Sequence, residues 1–306
     1  MSLPDEIRTA CAHVAAEARS VHIELEALEA YAAALPTGGL PIELDPESHH
    51  VAGSVEDRAA FVLTLDAINF GSGWFPTMRK RPGASGYFTV AGGLKERFDR
   101  LGPWPADELA AIDTREVASV LGQDPEHELM ALYAEALRDL GRRVASEYRG
   151  RFLTVVEETG ASAVELAELL ASWASFHDVS SYDGRCVPFF KRAQIAAADL
   201  AAAGVASFGD LDRLTLFADN LVPHVLRCDG VLRYGRELAA RIEAGRLLEH
   251  GSREEVEIRA CAVQAVELLA RRLGSSARDL DYVLWNRGQQ PRYKAHPRHR
   301  SRCTAY

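Results

Sequence analysis

The chain has 306 residues, 47% hydrophobic and 26% charged, which allows a sizeable core in one large domain or two packed lobes. No apolar run approaches the ~18 residues of a membrane span, and the first residues, MSLPDEIRTACAHV, lack the features of a secretory signal. From these two features we expect a cytoplasmic protein. The net charge of −9 argues against a general nucleic-acid coat, and we expect no stable nucleic-acid complex.

Helical spacing of apolar residues dominates the sequence, and no alternating strand pattern extends beyond a few residues. Pro4 opens an Ala-rich segment that we expect to run as one helix to about Leu35, where PTGGLP stops it. Ser54 and the two acids that follow it predict a second helix, ending near Phe70. Residues 76–93 are the least regular stretch and predict a short hairpin.

Start signals also mark helices in the second half. Asp124, followed by a proline, predicts the start of a helix that reaches Tyr148. Ser162 and Ser252, each with a glutamate three residues later, predict capping boxes.

A helix over 188–203 should end at Gly204, and a GVAS turn then leads to Ser207 as the cap of the next helix. This helix–turn–helix unit resembles the helix-hairpin-helix of DNA glycosylases.

Taken together, the helical segments predict one all-α domain, with lobes over about 1–160 and 161–306.

Rare residue types indicate where chemistry concentrates. The chain uses 31 arginines against four lysines, and its only asparagines are Asn69, Asn220 and Asn286. Because Arg and Lys differ in geometry and in their capacity for a shifted pKa, a retained lysine such as Lys191 is informative.

In the segment PFFKRAQIAAADL, the spacing of Lys191, Ile195 and Asp199 places all three on one helical face among apolar residues. A carboxylate on an inward face needs a partner or a purpose. One interpretation is a buried ion pair or a helix-end charge. The other is a lysine that binds phosphate or sugar beside a catalytic aspartate.

In LTLFADNLVPH, Asp219 either caps a helix that starts near Asn220 or lies with Phe217 in a pocket, beside the reacting sugar or base.

In LDYVLWNRG, Asp281 with Trp285 and Tyr282 with Asn286 are each four residues apart, so they form one polar and aromatic face. That face is either an aromatic core stripe with surface polar groups or a site that stacks and hydrogen-bonds a heterocyclic base.

The histidines and cysteines offer no metal site. His49 and His50 precede the Ser54 helix in a loop, either exposed or with one imidazole bonded to substrate. The five cysteines are scattered and form no zinc-ligand spacing, so we expect buried, reduced thiols: Cys11, Cys186, Cys228, Cys261 and Cys303. No nucleotide-binding glycine motif is present, and we expect neither a metal nor a cofactor.

The C-terminal residues 287–306 carry six Lys/Arg, two His and no acid. This basic segment is either a solvated terminus or a site for a phosphate group.

Several segments together resemble the queuosine salvage protein family: FVLTLDAINFGSGW, FFKRAQIAAADL, LTLFADNLVPHVL, EVEIRACAVQAVELL, DYVLWNRG and YKAHPRHRSRCTAY. The resemblance covers roughly residues 45–306. It implies a helical fold similar to DNA glycosylases and hydrolysis of queuosine 5′-monophosphate to queuine and ribose 5-phosphate, without a metal.

The resemblance also implies site residues. Contacts to the queuine end are implied for Phe217, Asp219, Asp281, Tyr282 and one histidine of the His49–His50 pair. Lys191 and Asp199 are implied as further site residues, whereas Asn286 departs from the acid that a family member carries there.

Our hypothesis gives Asp199 and Asp219 the catalytic roles at the reaction centre, with the division between them open. Asp281, Tyr282, Trp285 and the other site residues would bind the substrate. Two alternatives are a non-catalytic protein that binds modified nucleosides or tRNA, and a glycosylase that acts on bases within polynucleotides.

Overall fold

The computed structural model describes residues 1–35 and 42–306, and its regular structure is mostly helical, so the predicted all-α class is confirmed. The first eight helices are α1 Leu3–Glu17, α2 Leu25–Ala34, α3 Val55–Ala67, α4 Gly86–Leu101, α5 Ala106–Ala111, α6 Thr114–Leu121, α7 Glu128–Glu147 and α8 Phe152–Glu158. The later helices are α9 Ala163–Ala171, α10 Lys191–Ala202, α11 Val222–Cys228, α12 Arg236–Glu243, α13 Arg253–Leu273, α14 Ala277–Arg287 and α15 Pro291–Lys294. Within the described ranges, no helix combines the length and apolar character that a membrane span requires.

Short strands supplement the helices in two antiparallel pairs. They are β1 Val21–Ile23, β2 Val179–Tyr182, β3 Arg185–Pro188 and β4 Leu232–Tyr234. β1 pairs with β4, with Val21 opposite Tyr234. β2 and β3 form a hairpin whose turn residues Asp183 and Gly184 both have positive φ, 47° and 80°, as a type I′ turn requires.

The buried apolar side chains form two large clusters. One draws its residues from 59–217, and the other from 3–35 and 182–293. In the second cluster α1 packs along α13, whose residues are buried for most of its length. The ranges overlap along the chain, and the division into lobes near residue 160 stays a prediction.

The first predicted helix is wrong in its length, because the chain leaves helical geometry at Ala18 and forms β1 before α2 begins. The β-branched residues Val21 and Ile23 pair with β4, and the Ser20 N–H donates to the Glu257 carboxylate at 2.7 Å. These long-range contacts override the helix propensity of the alanine-rich segment. The stop sequence PTGGLP lies outside the described residues.

The hairpin predicted for residues 76–93 is wrong, since this stretch holds most of a short 3₁₀ turn and the start of α4. Ser85 caps α4 by accepting a hydrogen bond from a backbone N–H three residues later, at 3.3 Å. Gly86 lies against the ring of Phe75, and a Cβ there would approach a ring carbon to 2.2 Å. Glycine at this position therefore permits close packing and does not mark a hairpin turn.

Asp124 does not begin α7. Its carboxylate accepts a backbone N–H in the preceding turn, and the α7 cap is His127, whose ring nitrogen accepts from the Leu129 N–H at 3.3 Å. The predicted end at Tyr148 is confirmed within one residue.

Ser207 begins no helix. The turn at Gly204 follows α10 as predicted, but the next α-helix of the described residues is α11. Asp210 accepts from the Ser162 hydroxyl and the Ala163 N–H, both at 2.6 Å, so the intervening segment caps α9 instead. The predicted helix–turn–helix unit is therefore wrong, and the likeness to DNA glycosylases gains no support from this segment.

The other predicted caps differ in outcome. Ser54 and Asp57 form a reciprocal capping box at α3, and the Ser162 side chain caps α9, so both starts are confirmed. At α13 the Ser252 side chain makes no cap bond. The Glu255 carboxylate instead accepts the Gly251 N–H at 3.0 Å.

All five cysteines are free thiols, as predicted. Cys11, Cys261 and Cys303 are buried, but the expected burial is wrong for Cys186 and Cys228. Cys186 lies on an exposed position of the two-stranded β2–β3 hairpin, and Cys228 ends α11 at the surface.

A fully buried ion pair connects the elements that surround the cavity described below. Arg259 of α13 donates to both carboxylate oxygens of Asp178, at 2.9 and 2.7 Å. The same guanidinium donates to the Ala218 carbonyl at 3.0 Å and lies 3.9 Å from the centre of the Phe189 ring. Asp178 also accepts the Lys191 N–H at 3.1 Å. The Asp178–Arg259 pair therefore contacts both the start of α10 and the 217–219 segment.

Because a buried charge that loses its partner is strongly destabilising, Asp178→Ala should lower the free energy of unfolding by about 3–5 kcal/mol in a urea titration. As a control, Glu147→Ala breaks the exposed Arg143–Glu147 pair and should cost at most about 1 kcal/mol. Equal small losses for the two variants would contradict the role given to the buried pair.

Candidate active site

A cavity of about 690 Å³ lies between the two clusters, and nine of the ten predicted site residues line it. These are His49, Lys191, Asp199, Phe217, Asp219, Asp281, Tyr282, Trp285 and Asn286. The exception is His50, whose Nδ1 lies 2.6 Å from an Asp99 oxygen while its ring packs against Phe61 and Phe98. His50 therefore belongs to the core of the α3–α4 region and not to the cavity wall.

Helix α10 supplies one wall of the cavity. Lys191, Ile195 and Asp199 all face it, as their spacing predicts. The helix starts abruptly at Phe190, which adopts the left-handed conformation with φ of 47°. The Asp178 carboxylate accepts the first helical N–H and so fixes this start.

The ammonium group of Lys191 is held by one neighbour. Its Nζ donates to the backbone oxygen and the side-chain oxygen of Asn69, at 2.9 and 3.0 Å. The third N–H of the ammonium has no acceptor within hydrogen-bond distance among the described residues. Burial lowers the pKa of Lys191, and the charges of Asp219, Asp66 and Asp281 oppose that effect.

Asp199 lies at the far end of the same helical face. Burial first, and then the neighbouring carboxyl of Asp66, raise its pKa well above the ordinary carboxyl range, while Lys191 opposes the shift. The side chain therefore holds a proton to higher pH than an exposed aspartate does.

Asp219 caps a helix, as one interpretation of its sequence context predicts, and it also lines the cavity with Phe217; its place beside a reacting sugar or base stays a prediction. One carboxylate oxygen accepts the N–H groups of Leu221 and Val222, at 2.7 and 3.1 Å, and so caps α11. The other oxygen accepts no hydrogen bond from the described residues. Since the side chain also lines the cavity, the cap fixes an acid whose second oxygen is available to a ligand.

Asp281 of α14 is buried and accepts the Phe217 N–H at 3.2 Å. Burial, followed by the charge of Asp219, raises its pKa well above the ordinary range. The contact joins α14 to the 217–219 segment, so that the acids of two separate elements lie in one cavity.

Aromatic rings line the part of the cavity near α14. Trp285 meets the edges of Tyr87 and Phe88, with ring centres 5.7 and 5.9 Å apart. Tyr87 and Phe88 were missed because their segment predicted a hairpin, although its two adjacent aromatic residues were visible in the sequence. Asn286 is exposed at the edge and donates to the Tyr282 carbonyl at 2.9 Å.

The interpretation of the histidine pair as exposed is wrong, since both side chains are buried. His49 lies with its Nε2 2.8 Å from the Tyr87 hydroxyl and its Nδ1 3.0 Å from the Asp45 carbonyl. Because a carbonyl only accepts, Nδ1 carries the proton of the neutral ring and Nε2 accepts from Tyr87. Burial lowers the pKa of His49, which favours this neutral form.

The basic C-terminal segment is folded against the cavity and is not a solvated terminus. His299, Ser301, Cys303 and Tyr306 are buried. Asn220 donates to the His299 carbonyl at 3.0 Å. Four residues of the segment that can carry positive charge line the cavity: Lys294, His296, Arg298 and Arg300.

Among residues 1–35 and 42–306, no group of three His, Cys, Asp or Glu side chains is arranged to hold a metal ion.

Comparison with known proteins gives a consistent result. A family model described as queuosine salvage protein matches residues 49–306. A Sphaerobacter thermophilus protein named queuosine 5′-phosphate N-glycosylase/hydrolase is 36% identical over 318 residues, covering 98% of this chain and 97% of the relative. Proteins of the same name from Bos taurus and Mus musculus are 31% and 29% identical, each over 86% of this chain and over 84% and 85% of the relatives.

The raised pKa of Asp199 predicts a pH-dependent effect on stability. Folding favours the protonated acid, so its contribution is present below the ordinary carboxyl pKa of about 4 and is lost as the pH rises through the folded-state pKa. Asp199→Asn, which cannot ionise, should therefore gain unfolding free energy relative to the parent as the pH rises above about 4.

Asp183→Asn is the control of opposite sign, because a hydrogen bond from Arg253 lowers the pKa of Asp183 and stabilises its charged form. This variant should lose stability relative to the parent as the pH rises through the acid range. If the unfolding free energies of Asp199→Asn and the parent change with pH in parallel, the raised pKa of Asp199 is contradicted.

Proposed function

The chain belongs to the queuosine salvage protein family, and we propose that it hydrolyses queuosine 5′-monophosphate. Water adds to the anomeric carbon, the N-glycosidic bond breaks, and the base takes up a proton and leaves as queuine beside ribose 5-phosphate. The observation that carries this proposal is the cavity itself, where three aspartates, a lysine ammonium and several aromatic rings converge. The names of the relatives state the same activity for those proteins.

The chemistry of the leaving group explains why acids dominate the site. Queuine is a 7-deazaguanine, so it lacks the ring nitrogen through which purines are often activated as leaving groups. The transition state therefore depends more on stabilising the positive charge that develops on the ribose. Carboxylates beside the anomeric carbon supply that stabilisation in a dry, preorganised site.

Asp219 and Asp199 are our candidates for the reaction centre. Asp219 has one oxygen fixed by the α11 cap and another that accepts no bond from the described part of the chain, which suits a carboxylate that faces the oxocarbenium-like sugar. Asp199 has a raised pKa, which suits a group that exchanges a proton with water or the leaving base.

The remaining wall fits the base and its amine-bearing arm. Phe217 and Tyr282 provide rings for stacking, and Trp285 and Asn286 extend that surface toward the opening. The secondary amine of queuine is cationic at neutral pH, and its charge would favour the ionised form of Asp281, whose pKa is raised by burial and by Asp219.

The 5′-phosphate would lie against the basic C-terminal segment. The guanidinium of Arg298 lines the cavity, and the structure gives it no hydrogen-bonded acceptor among the described residues. Burial lowers the pKa of Arg298, and the charge of Asp219 opposes that effect. A bound phosphate would supply an anionic hydrogen-bond acceptor for this guanidinium.

The catalytic assignment predicts the effect of removing each acid. Asp199→Asn and Asp219→Asn should each lower the rate of queuine release from queuosine 5′-monophosphate by roughly 100-fold or more, measured by chromatography. Asp212→Asn, which changes an exposed acid outside the cavity, is the matched control and should keep full activity. Near-parental turnover in both site variants would refute the assignment, and an inert parent protein would refute the reaction.

The phosphate site predicts a substrate-dependent defect. Arg298→Ala should raise KM for queuosine 5′-monophosphate by roughly tenfold or more, because a charge-assisted contact is lost, and should leave KM for unphosphorylated queuosine nearly unchanged. Arg302→Ala is the control, since Arg302 pairs with Glu128 and does not line the cavity. If Arg298→Ala changes KM equally for the two substrates, the phosphate does not bind at Arg298.

A further inference from the structure

Asp66 is a buried acid that the proposed mechanism does not use. It lies on α3, is fully shielded from solvent, and does not line the cavity. Its Oδ1 accepts a hydrogen bond from the Asn69 side-chain nitrogen at 3.0 Å, whereas its Oδ2 has no hydrogen-bond partner among residues 1–35 and 42–306. Burying a carboxyl with an unsatisfied oxygen costs free energy, and packing alone does not explain an acid at this position.

Asn69 connects this acid to the cavity. The amide has one oxygen and one nitrogen, and the two ends point to different partners: the oxygen to Lys191 Nζ at 3.0 Å and the nitrogen to Asp66. Because a carboxylate accepts and an ammonium only donates, this pair of neighbours selects one of the two amide orientations. The flipped amide would place its N–H groups against the ammonium.

We propose that Asp66 is a positioning residue that acts through Asn69 to hold the Lys191 ammonium in the cavity. The inference rests on the proposed function for its catalytic consequence but not for its geometry. Two N–H groups of Lys191 are occupied by Asn69, so the direction of the third is fixed relative to Asp199 and Asp219. An ammonium held in this way presents that N–H to a sugar hydroxyl or other oxygen of the substrate without reorganisation.

The charges around Asp66 are consistent with this role. The charged or titratable groups that face it are Lys191 and Arg192 of α10, Asp199 of the same helix, and Tyr87 of α4. Burial raises the pKa of Asp66 to about 7 against the opposing effects of Asn69 and the two cations. Either protonation state leaves an oxygen that accepts the Asn69 N–H.

The first test is a double-mutant cycle on queuine release. Asp66→Ala and Asn69→Ala should each lower kcat, by up to roughly 100-fold, with a smaller change in KM, and the double variant should lose no more than the larger single loss. Asp66→Asn keeps an oxygen acceptor and should recover most of the activity. Thr64→Val is the control: it changes another buried residue of α3, outside the hydrogen bonds that join Asp66, Asn69 and Lys191, and should keep the parental kcat.

A second measurement does not depend on activity. The chain has only four lysines, so ¹⁵N-lysine labelling gives a simple Nζ spectrum in which Lys191→Arg identifies the Lys191 signal. Asp66→Ala and Asn69→Ala should shift that signal and leave those of Lys80, Lys95 and Lys294 in place.

Three outcomes would overturn the inference: additive losses in the cycle, an Asp66→Asn variant as impaired as Asp66→Ala, or an unchanged Lys191 signal. If the parent protein releases no queuine, the proposed function fails, while the spectrum still decides whether Asp66 positions Lys191.

Discussion

The buried pair between Asp178 and Arg259 is the interaction on which the site depends. Neither group reaches solvent, so each needs a charged partner, and each also makes a hydrogen bond to a backbone group of the cavity wall. Asp178 holds the first N–H of α10, and Arg259 holds the Ala218 carbonyl next to Asp219. The guanidinium also lies 4.8 Å from the centre of the Tyr306 ring, which ties the end of the chain to the same point.

The cavity concentrates acidic side chains at a cost to stability. Asp199 and Asp281 have raised pKa values because they are buried beside other acids, and Lys191 is a cation held among them. A cationic group that enters the cavity would favour the ionised forms of these acids. We regard this as the reason why a nucleotide with a charged amine suits the site, since its charge offsets the cost of ionising a buried carboxyl.

Part of this site was predictable from the sequence, for physical reasons that particular residues illustrate. Lys191 and Asp199 could be placed on one face because helical spacing is local and the helix is regular. Asp66 was not predicted, because its significance arises only when α3 packs against α10. Tyr87 was missed because Gly86 resembles a turn residue until its contact with Phe75 is known. The break of the first predicted helix follows from β4, more than 200 residues later, which no local pattern reveals.

The most direct measurement is a crystal structure of the Asp219→Asn protein with queuosine 5′-monophosphate bound. We expect the base between Phe217 and Tyr282, its amine near Asp281, the anomeric carbon facing position 219, and the phosphate near Arg298. A nucleotide bound outside this cavity, or one whose sugar lies far from positions 199 and 219, would contradict the account.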